Sequence, residues 1–219
     1  MAKRSEAESH GERLHKIAME IAALAQNGLN YGTDRYEIAR YRRLQEISAE
    51  VMGMISGVDD THFHHQIAAE VGHATPKVDV RGALFDADER VLLVREKVDG
   101  RWTLPGGWAD ALDTPTEAIT REVAEEAGLK VRVLRLAAIY DGFRSNGHPT
   151  APFHIYKLLF LLGRLDDAEP VAGLDGETTG VGFFALDSLP ELSTRRTTES
   201  QLGRLLAHHR DPTMPADVD

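Results

Sequence analysis

The sequence has no cysteine among its 219 residues, so neither disulfide staples nor thiol chemistry contributes to fold or function. It also lacks any run of 18 apolar residues, and no segment reads as a membrane-spanning helix. The basic start MAKRSEAESHGER leads into a charged amphipathic stretch, where a signal peptide would place an apolar core. The expected compartment is therefore the cytoplasm, and no membrane partner is expected. Positive charge is in deficit: 25 Lys and Arg face 35 Asp and Glu, a formal net charge of −10. That balance argues against a duplex DNA partner and weakens the case for RNA. A small anionic substrate remains compatible, because a bound metal can supply positive charge locally.

What the sequence does contain is a short acidic helix behind a glycine turn. Glu122, Glu125 and Glu126 stand at i, i+3 and i+4, which places all three within about 100° of one helix face. Like charges at that spacing weaken a helix unless a cation lies between them. Carboxylates with no Cys or His beside them suit Mg²⁺ or Mn²⁺, and the alternative is a solvated acidic face. The surroundings favour the metal. Thr114, Pro115 and Glu117 spell a capping box with proline at the first helical position, and Gly128 spells the stop. Ile119, Val123 and Ala127 form an apolar stripe that would pack the helix on a sheet and leave the acids facing sideways. Gly106 and Gly107, just upstream, allow main chain to approach whatever the acids hold.

The stretch from Gly107 to Leu129 resembles the Nudix box, G-x5-E-x7-R-E-U-x-E-E-x-G-U with U aliphatic, with correct spacing at every fixed position. Asp113 stands where the family has its first Glu, and Leu112 replaces a glycine common beside it. In the family that first Glu supports the loop more than it binds metal, so activity is expected to survive the change. The resemblance implies that Glu122, Glu125 and Glu126 bind divalent metal, that Arg121 orients one of them, and that the reaction is attack of water on a nucleoside diphosphate linked to another moiety X. A carboxylate outside the box, on the loop before a late strand, often serves as further ligand or general base, and Glu177 is the candidate. The carbonyl of Gly106 is a further possible ligand. Trp108 and Arg144 are candidates for substrate contact, while Trp102 reads equally well as core. His154 and Lys157 share a strand, and one of them could meet substrate phosphate.

Residues 1–58 read as a helical hairpin, with apolar stripes at Leu14, Ile17, Ala18, Ile21, Leu24 and Ala25, and at Ile38, Tyr41, Leu44, Ile47 and Val51. Residues 59–76 read as a short helix and linker, and 77–212 as a catalytic domain of strands around the box helix. Residues 213–219 read as a disordered tail. The resemblance implies an α/β/α sandwich around a mixed sheet. The hairpin resembles the extension carried by the ADP-ribose and CDP-choline pyrophosphatase-like branch, which implies a homodimer and a substrate such as ADP-ribose or CDP-choline. Stripes that a two-helix hairpin cannot bury alone point the same way. The alternative is a sensor or RNA-binding protein whose hairpin contacts a partner. The intact acids argue against it, because clustered charge is held at a cost when no metal uses it.

Overall fold

The computed structural model describes residues 9–143, 151–174 and 176–219. The described residues form two compact units: one holds residues up to Pro76 together with 151–154, the other Lys77–Phe143 and the residues from Ile155 on.

The first unit contains α1 (His10–Tyr31), α2 (Arg35–Ser56) and α3 (Asp60–Ala69). Ser9 and Glu12 close a capping box on α1, and the Asp34 carboxylate accepts from the N–H groups of Tyr36 and Glu37 to start α2. Its core is Ala18, Ala22, Ala49, Met52, Phe63 and Ile67, so α3 packs with the hairpin. The inward face of α1 is built of Ala18, Ala22 and Ala25 with the buried His15. The bulkier residues of the same stripe, Leu14, Ile17 and Leu24, remain 40%, 43% and 59% exposed.

In the second unit, β1 (Lys77–Leu84) runs parallel to β6 (Ile155–Arg164) and antiparallel to β4 (Gly106–Trp108). Strand β5 (Val131–Asp141) lies antiparallel to β6 on its other side, and β8 (Asp217–Val218) runs parallel to β5, completing the mixed sheet β4-β1-β6-β5-β8. A second, antiparallel sheet has the order β3 (Trp102–Thr103), β2 (Val91–Glu96), β7 (Thr178–Phe184). The continuous apolar run Leu158–Leu162 in β6 reflects a strand covered on both faces. Phe160 and Leu162 pack with Leu92, Val94 and the box helix α4 (Pro115–Ala127). Leu159 and Leu161 point the other way, to Val91, Leu93 and the closing helix α5 (Glu199–Arg210) through Leu202 and Leu205. The result is the α/β sandwich expected.

The tail expectation is corrected. Residues 213–219 are not a disordered tail, because Asp217 and Val218 pair with Ala138 and Ile139. The Asp217 carboxylate accepts from Arg204 at 2.6 and 2.8 Å and from the Tyr140 hydroxyl at 3.0 Å, and it lies 3.2 Å from Nε2 of His208. Such polar ties between distant positions leave no periodic signal in a seven-residue segment. Strand β4 escaped sequence reading for a similar reason, being three residues long and mostly glycine.

Candidate active site

The two ends of α4 follow its sequence. The Glu117 N–H donates to the Thr114 hydroxyl, and the Glu117 carboxylate accepts from the N–H of Thr114 at 2.9 Å. Gly128 ends the helix at φ 68°, in the left-handed region. Ala118, Ile119, Val123 and Ala127 are wholly buried against the sheets. Burying Ile119 alone contributes roughly 1.5–3 kcal/mol, so the helix cannot rotate cheaply and its polar residues have a fixed heading.

Arg121 gathers the acids around it. Its Nη1 donates to Oε1 of Glu122 at 2.9 Å and to Oε2 of Glu125 at 3.0 Å. Its Nε donates to Oδ2 of Asp113 at 3.3 Å, and Nη2 lies 3.2 Å from Oδ2 of Asp110. Asp113 thus reaches the arginine despite its missing methylene, fastening the loop before α4 to the helix. Burial would lower the pKa of Arg121, but Glu122, Glu125 and Asp113 more than reverse that and hold it above the usual arginine value.

Glu126 is the most enclosed of the acids, 5% exposed. Its Oε2 accepts from the N–H of Gly106 at 2.8 Å. Burial pushes its pKa up to about 8, against the opposing pull of Arg81 and of the Gly106 bond. Glu122 is also raised by burial, with Arg121 opposing. Both glycines of the turn are tightly fitted, and Gly106 is obligatory. Gly106 has φ 138°, and a Cβ there would lie 2.0 Å from the Val80 carbonyl oxygen. A Cβ on Gly107 would stand 2.9 Å from Oε2 of Glu122, inside the space its carboxylate needs.

Behind these acids lies a buried charged layer that sequence reading missed. Arg81 of β1 donates to Oδ1 and Oδ2 of Asp79 at 2.7 and 3.2 Å and to the Leu104 carbonyl at 3.2 Å. Lys157 is the β6 register partner of Asp79 and is 3% exposed. Its Nζ donates to the carbonyls of Arg195 and Arg196 at 3.1 and 2.7 Å, and burial lowers its pKa to about 8. Lys157 is therefore a structural tie, its ammonium held by main-chain carbonyls. The available signal was Asp79 and Arg81 at i and i+2 among the apolar residues of β1, which puts two opposite charges on one buried face.

The second sheet brings two further carboxylates close by. The β2–β7 ladder shifts register between Arg95 and Glu96, pairing Glu96 with Thr178. The Lys97 N–H donates to the carbonyl of Glu177 at 2.9 Å, and the Thr178 hydroxyl donates to the main-chain carbonyl of Glu126 at 3.1 Å. Glu177 is exposed; Glu96 is half-buried and lies 3.1 Å from Nε of Arg196. Trp108, on β4 and 48% exposed, pairs in register with Asp79. Trp102 packs edge-on against Phe184 with ring centroids 4.7 Å apart, a core role. Gly106 engages the site through its N–H. Arg144 lies outside the described residues.

Among the described residues, no three His, Asp or Glu side chains already converge on a single point. Arg121 and Gly106 hold their oxygens instead. The donor set still fits a hard divalent cation. All its ligand atoms are carboxylate oxygens, and burial holds two of the acids above their ordinary pKa, a cost that a cation would relieve.

Comparison with known proteins agrees with this geometry. The NUDIX domain model matches residues 75–206, and the "UDP-X-like, N-terminal oligomerisation domain" model matches residues 12–64. The chain belongs to the Nudix family, and it is a hydrolase acting on diphosphate bonds. Nudix hydrolases generally use divalent metal ions. One relative, "Putative ADP-ribose pyrophosphatase YjhB" of Bacillus subtilis (strain 168), is 40% identical over 195 residues, covering 89% of this chain and 91% of its own. An ADP-ribose pyrophosphatase of Methanocaldococcus jannaschii is 32% identical over 121 residues, covering 54% and 67%. Among solved structures, a UDP-X diphosphatase is 29% identical with a TM-score of 0.60, covering 95% of this chain and 99% of that one. An ADP-ribose pyrophosphatase from Streptococcus suis 89-1591 is 37% identical with a TM-score of 0.59, covering 66% and 100%.

Proposed function

We propose that the substrate is a nucleoside diphosphate joined to a sugar or an alcohol, with ADP-ribose the first candidate, followed by UDP-sugars and CDP-choline. Supporting this reading are the names of the relatives that match nearly all of this chain or of their own. The observation that carries the site assignment is the placement of Arg121, Glu122, Glu125 and Glu126 beneath the Gly106–Gly107 turn.

In this reading Glu122, Glu125 and Glu126 hold Mg²⁺ or Mn²⁺, with the Gly106 carbonyl available beside them. When bound, the cation would neutralise diphosphate oxygens and lower the pKa of the attacking water. Arg121 keeps Glu122 and Glu125 at a fixed spacing through charge-assisted bonds, and Asp113 holds Arg121 in turn. Glu177, exposed just before β7, accepts a proton from water or adds a ligand in this reading. Trp108 offers its exposed face to a base or sugar. Cleavage breaks the anhydride bond and leaves two phosphate-bearing products.

The helical unit makes the enzyme a homodimer. Support comes from the family description of residues 12–64 and from the exposed stripe of Leu14, Ile17 and Leu24 on α1. No helix among the described residues is long and apolar enough to cross a membrane.

The test is chromatographic detection of monophosphate from ADP-ribose, UDP-glucose, CDP-choline, CDP-glycerol, NADH, a dinucleoside polyphosphate and 8-oxo-dGTP, with Mg²⁺ or Mn²⁺. Turnover of one conjugate, lost with EDTA and reduced about 10²- to 10³-fold by Glu126→Gln, supports the assignment. Tight metal-dependent binding of a conjugate without turnover would replace it with the sensor reading.

A further inference from the structure

Four elements outside the Nudix box converge on Glu96. The first is the register shift in the β2–β7 ladder, where an irregular pairing re-aims the side chain next to it. The shift sets Glu96 opposite Thr178, whose hydroxyl donates to the Glu126 main-chain carbonyl at 3.1 Å, so β7 joins Glu96 to the end of α4 that bears the acids. The second is Arg196, whose Nε lies 3.1 Å from Oε1 of Glu96.

Arg196 is itself strongly fixed. Its Nη1 lies 3.4 Å from Asp99 and donates to the Ser193 hydroxyl at 3.1 Å, while that hydroxyl donates to Asp99 at 2.8 Å. The third element is Lys157, which holds the carbonyls of Arg195 and Arg196 from the central strand of the mixed sheet. Thr197 adds a hydroxyl bond to Thr103 at 2.9 Å and accepts from the Leu104 N–H at 3.1 Å. The fourth is Arg81, a buried guanidinium whose charge acts on both Glu126 and Glu96. A surface ion pair needs no such scaffold, because exposed pairs are worth ~0–1 kcal/mol and are left mobile.

We propose that Glu96 is a further metal-facing carboxylate of the diphosphatase site, and that Arg196 is the positioning residue that presents it. The site exists through the box acids without Glu96; what is new is a ligand from β2, set by the segment Ser193–Thr197. The inference rests on the metal-dependent reading of Glu122, Glu125 and Glu126 proposed above. Burial holds Glu96 above its ordinary pKa, with Arg196 and Arg81 opposing.

The experiment titrates the full-length protein with Mn²⁺ and reads free Mn²⁺ by electron paramagnetic resonance, giving affinity and stoichiometry without substrate. Glu96→Gln, which keeps the side-chain shape, should weaken Mn²⁺ binding about tenfold or remove one equivalent, and Glu96→Asp should lie between it and wild type. Arg196→Met should weaken binding in the wild-type background and add nothing in the Glu96→Gln background, because it acts through Glu96. Glu191→Gln, which alters the carboxylate paired with Arg101, should change nothing. Wild-type affinity and stoichiometry in Glu96→Gln would overturn the proposal and leave the box reading intact. Absence of Mn²⁺ binding in the wild type would overturn both. Additive effects of Arg196→Met and Glu96→Gln would remove Arg196 from the positioning role.

Discussion

Oε2 of Glu126 accepts the N–H of Gly106 across 2.8 Å, so a carboxylate on α4 is clamped by the main chain of β4. Because burial pushes that carboxyl up to about 8, the metal-free protein carries a proton there at neutral pH. A divalent cation must expel it. The apparent Mg²⁺ affinity should therefore rise from pH 6 to about pH 8 and flatten above, with proton release detectable by calorimetry in buffers of different ionisation enthalpy.

The same shift sets a stability trend. A Glu whose folded pKa is raised gives stability that is present below its unfolded value of 4.5 and is lost as pH rises towards about 8. Thermal melts in EDTA should fall across that window, and saturating Mg²⁺ should flatten the trend.

Gly106 and Gly107 should respond differently to alanine. Gly106→Ala places a Cβ against the Val80 carbonyl at a positive φ and should cost roughly 1–3 kcal/mol or more, read as a lower melting temperature. Gly107→Ala crowds only the Glu122 carboxylate, so metal affinity should drop at least tenfold with a much smaller change in melting.

Asp113 supports the site through Arg121 alone. Asp113→Glu should retain activity, while Asp113→Ala should lower kcat/KM by about tenfold, well short of the loss from Glu126→Gln. Equal losses from the two neutral variants would place Asp113 among the metal ligands.

How much of this was readable from sequence depended on whether a signal was local. The start of α4 was written in Thr114, Pro115 and Glu117, its end in Gly128, and its buried face in Ile119, Val123 and Ala127, all within one helix. Glu96 and Arg196 were not legible, because their ion pair joins positions 100 residues apart and depends on the tertiary placement of β2 and the segment Ser193–Thr197. The α1 stripe was half legible: periodicity located it, but not the division between its alanines, which pack inside, and Leu14, Ile17 and Leu24, which do not.

That division predicts the effect of charge on the outward residues. Ile17→Glu combined with Leu24→Glu should yield a particle of the 24.2 kDa chain mass by light scattering, where the wild type gives twice that. A wild-type particle of single-chain mass would refute the homodimer.

The β8 contacts predict an acid-sensitive C-terminus. Arg204, His208 and the Tyr140 hydroxyl together hold Asp217 well below the usual carboxylate range, with Arg204 the strongest influence. A lowered carboxylate pKa gives stability that is present above its unfolded value of 3.8 and lost as pH falls below it. Asp217→Asn should cost about 2 kcal/mol at pH 7 and flatten the acid limb of the melting profile.

In the homodimer proposed above, with α1 turning alanine inward and leucine and isoleucine outward, part of the folding free energy belongs to the association between copies. Dilution then becomes a perturbation equivalent to a modest rise in temperature. An assay at nanomolar enzyme and a melting curve at micromolar enzyme would sample different populations of the same molecule.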